Sequence, residues 1–132
     1  MKEITKKWLE YADNDFYACK VLMKKSDKNL YPNCYYHLHQ AVEKYLKAYL
    51  AENNIKILKT HDLVNILNET KIKLPKELSG FIDDLNPFYN PIRYPDSFKE
   101  LKEFYTKREL NNYFKLTRET IKWLHHKLIE IN

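Results

Sequence analysis

The sequence predicts an all-α fold, an antiparallel up-down bundle of four to five helices in a single domain spanning residues 1–132. Apolar residues recur at helical spacing through several long stretches, which indicates amphipathic helices. One glycine and five prolines leave too few turn signals for a many-stranded sheet protein. A chain of 132 residues is long enough to bury one core, so a second domain is not expected.

The first helix is predicted from Ile4 to about Lys25, because its apolar residues share one face. The residues on that face are Ile4, Trp8, Leu9, Ala12, Phe16, Cys19, Leu22 and Met23. Asp15 projects into the same face, where a carboxylate costs free energy unless a partner satisfies it. A partner for Asp15 is therefore expected.

The second helix is predicted from about Pro32 to Glu52, with the proline in its first turn. Its apolar face is formed by Cys34, Leu38, Ala41, Val42, Tyr45, Leu46, Ala48 and Tyr49. Its far side carries Tyr36, Gln40, Glu43 and Lys47, and the last two are spaced for an ion pair. Two interpretations stay open: this side is an ordinary solvated face, or it binds a ligand.

Two shorter helices follow. Thr60 is predicted to cap the first of them, with Asp62 in its first turn and Leu63, Ile66 and Leu67 facing inward. Pro75 marks the first turn of the next helix. The apolar stripe of that helix consists of Leu78, Phe81, Ile82 and Leu85.

Pro87, Pro91 and Pro95 forbid a regular helix in the next segment, which is predicted to form a rigid loop displaying Arg93. Ser97 with Glu100 is typical of a short helical turn. Thr106 with Glu109 fits a capping box for the last helix, which continues to the C-terminus. The stripe of that helix consists of Leu110, Tyr113, Phe114, Thr117, Ile121, Leu124 and Leu128.

The composition limits the chemistry. The formal charge of +5 favours contact with phosphates, although a lysine-rich solvated surface is the alternative. With Gly80 as the only glycine, no glycine-rich phosphate loop is possible. His37 and His39 lie at opposite edges of their helix and cannot ligate one metal, so neither a metal site nor a cofactor is expected.

Cys19 and Cys34 fall on apolar faces and are predicted to be reduced core residues. The N-terminal segment lacks an apolar run long enough for a signal peptide or a membrane span. These observations predict a soluble cytoplasmic protein that does not bind a membrane. Eleven tyrosines indicate a half-buried surface at a helix or subunit interface.

Arg118 and His125 are the candidate catalytic residues. Their spacing places them on nearly the same face of the last helix, about 10 Å apart along its axis. An arginine can neutralise a phosphodiester, and a histidine titrates near neutral pH and can transfer a proton. The alternative is that both are boundary residues of the apolar stripe.

Three segments of the sequence resemble the HEPN family (higher eukaryotes and prokaryotes nucleotide-binding domain). They are QAVEKYLKA at residues 40–48, THDL at residues 60–63 and RYPD at residues 93–96. The pattern of Trp8, Ala12, Asp15, Phe16 and Ala18 is similar as well. This resemblance implies a bundle like the C-terminal domain of kanamycin nucleotidyltransferase, commonly a homodimer with a functional groove.

The resemblance also implies partners and a site. Small members similar to this chain are often paired with a minimal nucleotidyltransferase, as toxin and antitoxin. Many members are metal-independent endoribonucleases with an R-x4-6-H motif, which Arg118 and His125 match at its long limit, with Glu119 where the family usually has Asn, Asp or His. Gln40, Lys44, Lys47, His61, Arg93 and Tyr94 are the expected nucleotide- or phosphate-binding residues, with Asp15 and Glu43 in support.

Three functions follow as hypotheses. The first is a nucleotide- or RNA-binding module, in which lysines and Arg93 hold phosphates and tyrosines stack bases. The second is a metal-independent ribonuclease using Arg118 and His125, and the third is a non-catalytic interaction module. Asp15, His61 and Arg93 are further expected to form a partly buried polar cluster, which either binds ligand or only holds the fold together.

Overall fold

The computed structural model of the protein describes residues 1–89 and 105–130. Within these ranges it has five α-helices, two short 3₁₀ segments and no strand, so the predicted all-α fold is confirmed. The helices are α1 (Glu3–Lys24), α2 (Tyr31–Glu52), α3 (Leu63–Thr70), α4 (Lys76–Leu85) and α5 (Lys107–Glu130), with 3₁₀ segments at Lys28–Leu30 and Asn86–Tyr89.

Helix α2 is the centre of the bundle. It contacts α1, α3, α4, α5 and both 3₁₀ segments, so it has neighbours on several sides. The predicted apolar face of α2 is buried, apart from the half-buried Tyr49. Because other elements also cover the opposite side, polar residues of α2 that a single amphipathic helix would expose are buried here.

An aromatic cluster around Tyr35 fixes the short 3₁₀ segment Asn86–Tyr89 against the bundle. The Tyr35 ring lies 4.7 Å from Phe88, 5.0 Å from Tyr105 and 4.9 Å from Tyr113, measured between ring centroids. Such offset and edge contacts add stability beyond the burial of apolar area. Since Phe88 is buried here, its neighbour Tyr89 is held at the surface.

The predicted N-cap is confirmed for α5 and is wrong for α3. The backbone N–H of Glu109 donates to the Thr106 hydroxyl at 3.1 Å, as the predicted box requires. Helix α3 is capped by Asp62, whose carboxylate accepts from the N–H groups of Val64 and Asn65, so the prediction of Thr60 as the cap was wrong. The Thr60 hydroxyl accepts from the N–H of Asp62 instead.

Helix α1 differs from the predicted face at its start. Ile4 is 50% exposed, whereas Thr5 is fully buried. The Thr5 hydroxyl donates to Glu52 at 2.9 Å, which satisfies this buried polar group. Farther along, Ala12 and Cys19 are buried as expected. The four stripe residues of α4 are all buried, which confirms the predicted face.

Candidate functional site

A buried carboxylate on α2 is the centre of the first polar cluster. The carboxylate of Glu43, a residue only 3% exposed, accepts from the Nδ1 atom of His61 at 2.8 Å and from the Nζ atom of Lys47 at 3.0 Å. A carboxylate is only an acceptor, so Nδ1 of His61 carries the proton and Nε2 is left for other partners. We call Glu43, Lys47 and His61 the Glu43 trio.

The ion pair between Glu43 and Lys47 was expected, but its surroundings were not. Both residues are buried, so the interpretation as a solvated face was wrong for Glu43 and Lys47, whereas Tyr36 on the same side is exposed. His61 lies near the end of residues 53–62, which connect α2 to α3, and its ring is hydrogen-bonded to Glu43. The Lys47 ammonium lies 5.8 Å from the centroid of the Trp8 ring. Burying charges this deeply requires the pairing seen here.

A second histidine, His39, belongs to the same region and is completely buried. Burial lowers the pKa of His39 to about 4, and the nearby charge of Glu43 offsets only part of this effect. His39 is therefore a neutral ring at neutral pH, and Lys47 and His61 are the partners that stabilise the carboxylate.

A concavity of about 450 Å³ opens beside His61. We call it the His61 concavity; it is lined by Lys59, Thr60, His61, Asp62, Asn86, Pro87 and Tyr89. The Tyr89 ring stacks on His61 with 5.8 Å between the ring centroids and 10° between the planes. His61 keeps 58% of its side chain exposed and Tyr89 is 41% exposed, so both present ring surface to a ligand.

One side chain joins the two walls of the His61 concavity. The Asn86 amide nitrogen donates to the capping carboxylate of Asp62 at 3.1 Å, and the Asn86 carbonyl oxygen accepts from the backbone N–H of Leu63 at 2.7 Å. The start of α3 is thereby tied to the 3₁₀ segment that carries Tyr89. The concavity is thus pre-formed, as binding sites commonly are.

A second carboxylate cluster lies between α1 and α2. Asp15 accepts from the Nδ1 atom of His37 at 2.8 Å and pairs with the ammonium of Lys44, whose Nζ lies 6.0 Å from the ring of Tyr11. Burial raises the pKa of Asp15, but the hydrogen bonds and charges of His37 and Lys44 outweigh it, so the pKa lies below its usual value. We call Asp15, His37 and Lys44 the Asp15 trio.

The expected partner set of Asp15 therefore differs from the observed one. Asp15 and His61 belong to separate clusters, and among the described residues Lys44 is the lysine paired with Asp15. Arg93 and Tyr94 lie in residues 90–104, outside the residues that the structure describes, as do Ser97 and Glu100. Gln40 is half-buried, and its amide donates to the hydroxyl of Tyr36 at 3.2 Å.

The candidate catalytic pair lies elsewhere, on α5. Arg118 and His125 are both exposed, but they line two different concavities. Arg118 shares one of about 300 Å³ with Phe16 and Tyr17 of α1, and His125 shares one of about 410 Å³ with Tyr45 of α2. No hydrogen bond joins either side chain to another residue in the described ranges.

Residues 1–89 and 105–130 can also be compared with the expectations about cysteines, metal sites and membrane spans. Cys19 and Cys34 are buried free thiols, as predicted. No group of three or more His, Cys, Asp or Glu side chains in these ranges is arranged to hold a metal ion. None of the helices described is both long and apolar enough to cross a membrane.

Sequence reasoning missed three lining residues of the His61 concavity, Lys59, Asn86 and Tyr89. Lys59 belongs to a polar connection with no periodic pattern, and Tyr89 sits between prolines, where the side-chain direction is not readable from spacing. The contrast of a buried Phe88 with an exposed Tyr89 depends on the cluster around Tyr35, which only the folded chain brings together.

Two solved structures have a fold similar to that of this chain. The crystal structure of TT1696 from Thermus thermophilus has a TM-score of 0.80 and 20% identity, covering 96% of this chain and 99% of that one. The structure of ST0689, an archaeal HEPN homologue, has a TM-score of 0.75 and 22% identity, covering 97% and 99%. No match was found among functionally curated proteins.

The fold and the Glu43 trio together place the protein in the class of small α-helical bundles with a polar cluster on the central helix. The family model of the HEPN domain matches residues 5–128. The chain belongs to the HEPN domain family.

Proposed function

We propose that this HEPN domain binds a nucleotide or single-stranded RNA in the His61 concavity. The observation that carries the proposal is the stack of Tyr89 on His61, with Lys59 in the same concavity. A base can extend the stack on Tyr89, and the Lys59 ammonium can hold a phosphate. Base stacking on an aromatic side chain is worth about 1–3 kcal/mol, so Tyr89 is expected to supply much of the affinity.

The Glu43 trio supports this site from beneath. Glu43 fixes the orientation of the His61 ring, and that ring supports Tyr89 from one side. The ammonium of Lys47 is paired with Glu43, and that of Lys44 with Asp15, so both lysines position the site rather than hold phosphates directly. Arg93 and Tyr94 stay proposed ligand contacts from the segment that follows Tyr89.

The test is a titration of a fluorescently labelled single-stranded RNA, and of ATP, by anisotropy and calorimetry. Tyr89→Ala is expected to weaken RNA binding about fivefold or more. Lys59→Ala is expected to lower the slope of log Kd against log salt concentration by about one. Lys115→Ala, at an exposed position on α5, is the matched control for Lys59→Ala, and Tyr17→Ala tests the concavity that Tyr17 shares with Arg118.

Two results would contradict the proposal. One is an unchanged affinity in Tyr89→Ala with the fold intact. The other is a loss of affinity confined to Tyr17→Ala, which would move the site to the Arg118 concavity, because Tyr17 lines that one.

The second candidate is a ribonuclease at Arg118 and His125. Its support is that both side chains are exposed on one helix and that each lines a concavity. Arg118 would stabilise the charged phosphate and His125 would transfer the proton. Cleavage of RNA in the presence of a chelator, lost in His125→Ala, would favour this candidate over binding alone.

We propose further that the domain is a homodimer and is paired with a minimal nucleotidyltransferase in a toxin-antitoxin type of system. Membership of the HEPN family and four exposed apolar residues of α1 (Ile4, Tyr11, Tyr17 and Val21) support an interface. Light scattering at high protein concentration tests the dimer, and co-expression with the neighbouring gene tests the partner. A monomer at all concentrations, or a neighbour that does not bind, would contradict the respective part.

A further inference from the structure

Gly80, the only glycine of the chain, lies inside a helix, although its contacts with the described residues do not require a glycine there. Gly80 is the fifth residue of α4, and its φ is not positive. A Cβ atom added there would meet no atom of the residues that the structure describes within 4 Å. Neither backbone strain nor internal packing therefore requires glycine, although glycine in a helix interior costs about 1 kcal/mol relative to alanine.

Gly80 lies in a groove between α4 and α5. The groove measures about 790 Å³, and the apolar part of its wall is formed by Phe81 and Leu116. A helix surface without a side chain at its middle permits the backbone of another helix to approach closely, as small residues do at helix interfaces. Gly80 therefore leaves open space for the backbone of a helix from outside the bundle.

The charged wall of the groove specifies the chemistry of the occupant. Glu77, Asp83 and Asp84 are all exposed and line the groove, against one lysine, Lys76. None of the three carboxylates forms an ion pair with another residue in the part of the chain that the structure describes. The full chain carries a formal charge of +5, so this acidic groove contrasts with the rest of the molecule.

We infer that the groove between α4 and α5 docks a basic amphipathic helix of a partner protein, with the backbone of that helix against Gly80. Phosphate groups of nucleic acids and of anionic lipids are repelled by the three carboxylates. A second copy docking by the same groove about a two-fold axis would place carboxylates against carboxylates. A cationic helix satisfies both the charge and the open space, and this inference does not depend on nucleotide binding.

Gly80 separates the effect on docking from the effect on folding. Gly80→Ala and Gly80→Leu are expected to raise the free energy of unfolding, since both residues favour helix more than glycine does. The leucine side chain fills the place of the incoming backbone, so binding is expected to fall at least tenfold in Gly80→Leu. A substitution that merely damaged the fold would lower stability and binding together.

The experiment is a selection from a phage-displayed library of helical peptides on the wild-type protein, with Gly80→Leu as the counter-selection target. The expected peptides are rich in Lys and Arg and carry one apolar face. They are expected to lose binding to a triple variant with Glu77→Gln, Asp83→Asn and Asp84→Asn. Urea denaturation of each variant establishes that it is folded.

Three outcomes overturn the inference. One is the absence of peptides that prefer the wild type over Gly80→Leu. Another is the enrichment of neutral or acidic peptides. The third is a wild-type dimer that Gly80→Leu converts to a monomer, because a second copy would then occupy the groove.

Discussion

The Glu43 trio and the Asp15 trio contain the same three kinds of group, yet their exposure differs. In the Asp15 trio the side chains of Asp15, His37 and Lys44 are 12%, 27% and 23% exposed, so all three are partly covered. In the Glu43 trio the carboxylate and the lysine are almost completely buried, while 58% of the His61 side chain is exposed.

We propose that this difference separates a structural role, that of the Asp15 trio, from a binding role, that of the Glu43 trio. His37, the histidine of the Asp15 trio, lies on α2 and is hydrogen-bonded to Asp15 of α1. It lines none of the three concavities that contain His61, Arg118 and His125. The histidine of the Glu43 trio is fixed from below by a buried carboxylate and faces a concavity with an aromatic ring and a lysine. The Asp15 trio thus joins two helices, whereas the Glu43 trio positions a surface ring.

The largest expected effect is on the stability that Glu43 provides. Glu43→Gln leaves the buried Lys47 ammonium without its counter-charge, and we expect the free energy of unfolding to fall by about 3 kcal/mol. Adding Lys47→Met removes the unpaired charge and is expected to restore most of that loss. Urea denaturation followed by circular dichroism measures both changes.

The matched control for that pair is Glu69→Gln, at an exposed position of α3, which is expected to change stability by less than about 0.5 kcal/mol. A double variant less stable than Glu43→Gln alone would contradict the assignment of Lys47 as the buried partner.

A smaller effect with a characteristic pH dependence is expected for Asp15. Asp15→Asn removes the negative charge and one of the two acceptor oxygens that serve His37 and Lys44, and it is expected to cost about 1.5 kcal/mol at neutral pH. The pKa of Asp15 is lowered in the folded protein, so its contribution is complete above the unfolded value and is lost as pH falls through the folded value. The stabilities of wild type and variant are therefore expected to converge below about pH 4.

Denaturation curves over a pH series measure this convergence, with Glu10→Gln on the same helix as the exposed control. A gap between wild type and Asp15→Asn that widens toward acid pH would show that the carboxylate is not stabilised by its two partners.

Substitutions of His37 and His61 are expected to differ in their effect on RNA affinity. His37→Ala is expected to lower the free energy of unfolding by about 1 kcal/mol and to leave RNA affinity unchanged. His61→Ala removes the ring that supports Tyr89, and RNA affinity is expected to fall about fivefold. Paired measurements of urea denaturation and RNA anisotropy compare the variants, and equal losses of RNA affinity would remove the distinction between the trios.

The smallest effect is expected at Tyr36. Its hydroxyl accepts a hydrogen bond from Gln40 at an exposed position, so Tyr36→Phe is expected to change stability by less than about 0.5 kcal/mol. Thermal denaturation measures it. A loss of more than about 1 kcal/mol would contradict the view that the hydrogen bond between Gln40 and Tyr36 is a surface contact of little weight.

The helices and their buried stripes were predictable because helical spacing and proline positions are local properties. The stripe of α4 and the Thr106 box were right for this reason. The burial of Glu43 and Lys47 was not predictable, since a helical wheel does not include the elements that cover α2 from its second side. Spacing also identified Asp15 as a carboxylate in need of a partner, but the choice of Lys44 and His37 depends on how α1 and α2 meet.

The central claim is that ligands contact His61 and not His37 or His125. The most direct measurement is a two-dimensional NMR spectrum that correlates the imidazole nitrogens with their ring protons, recorded while single-stranded RNA is added. The Nε2 resonance of His61 is expected to move with RNA while Nδ1 keeps the signature of a protonated nitrogen, and the resonances of His37 are expected to stay in place. Movement of His125 or His37 with an unchanged His61 would contradict it.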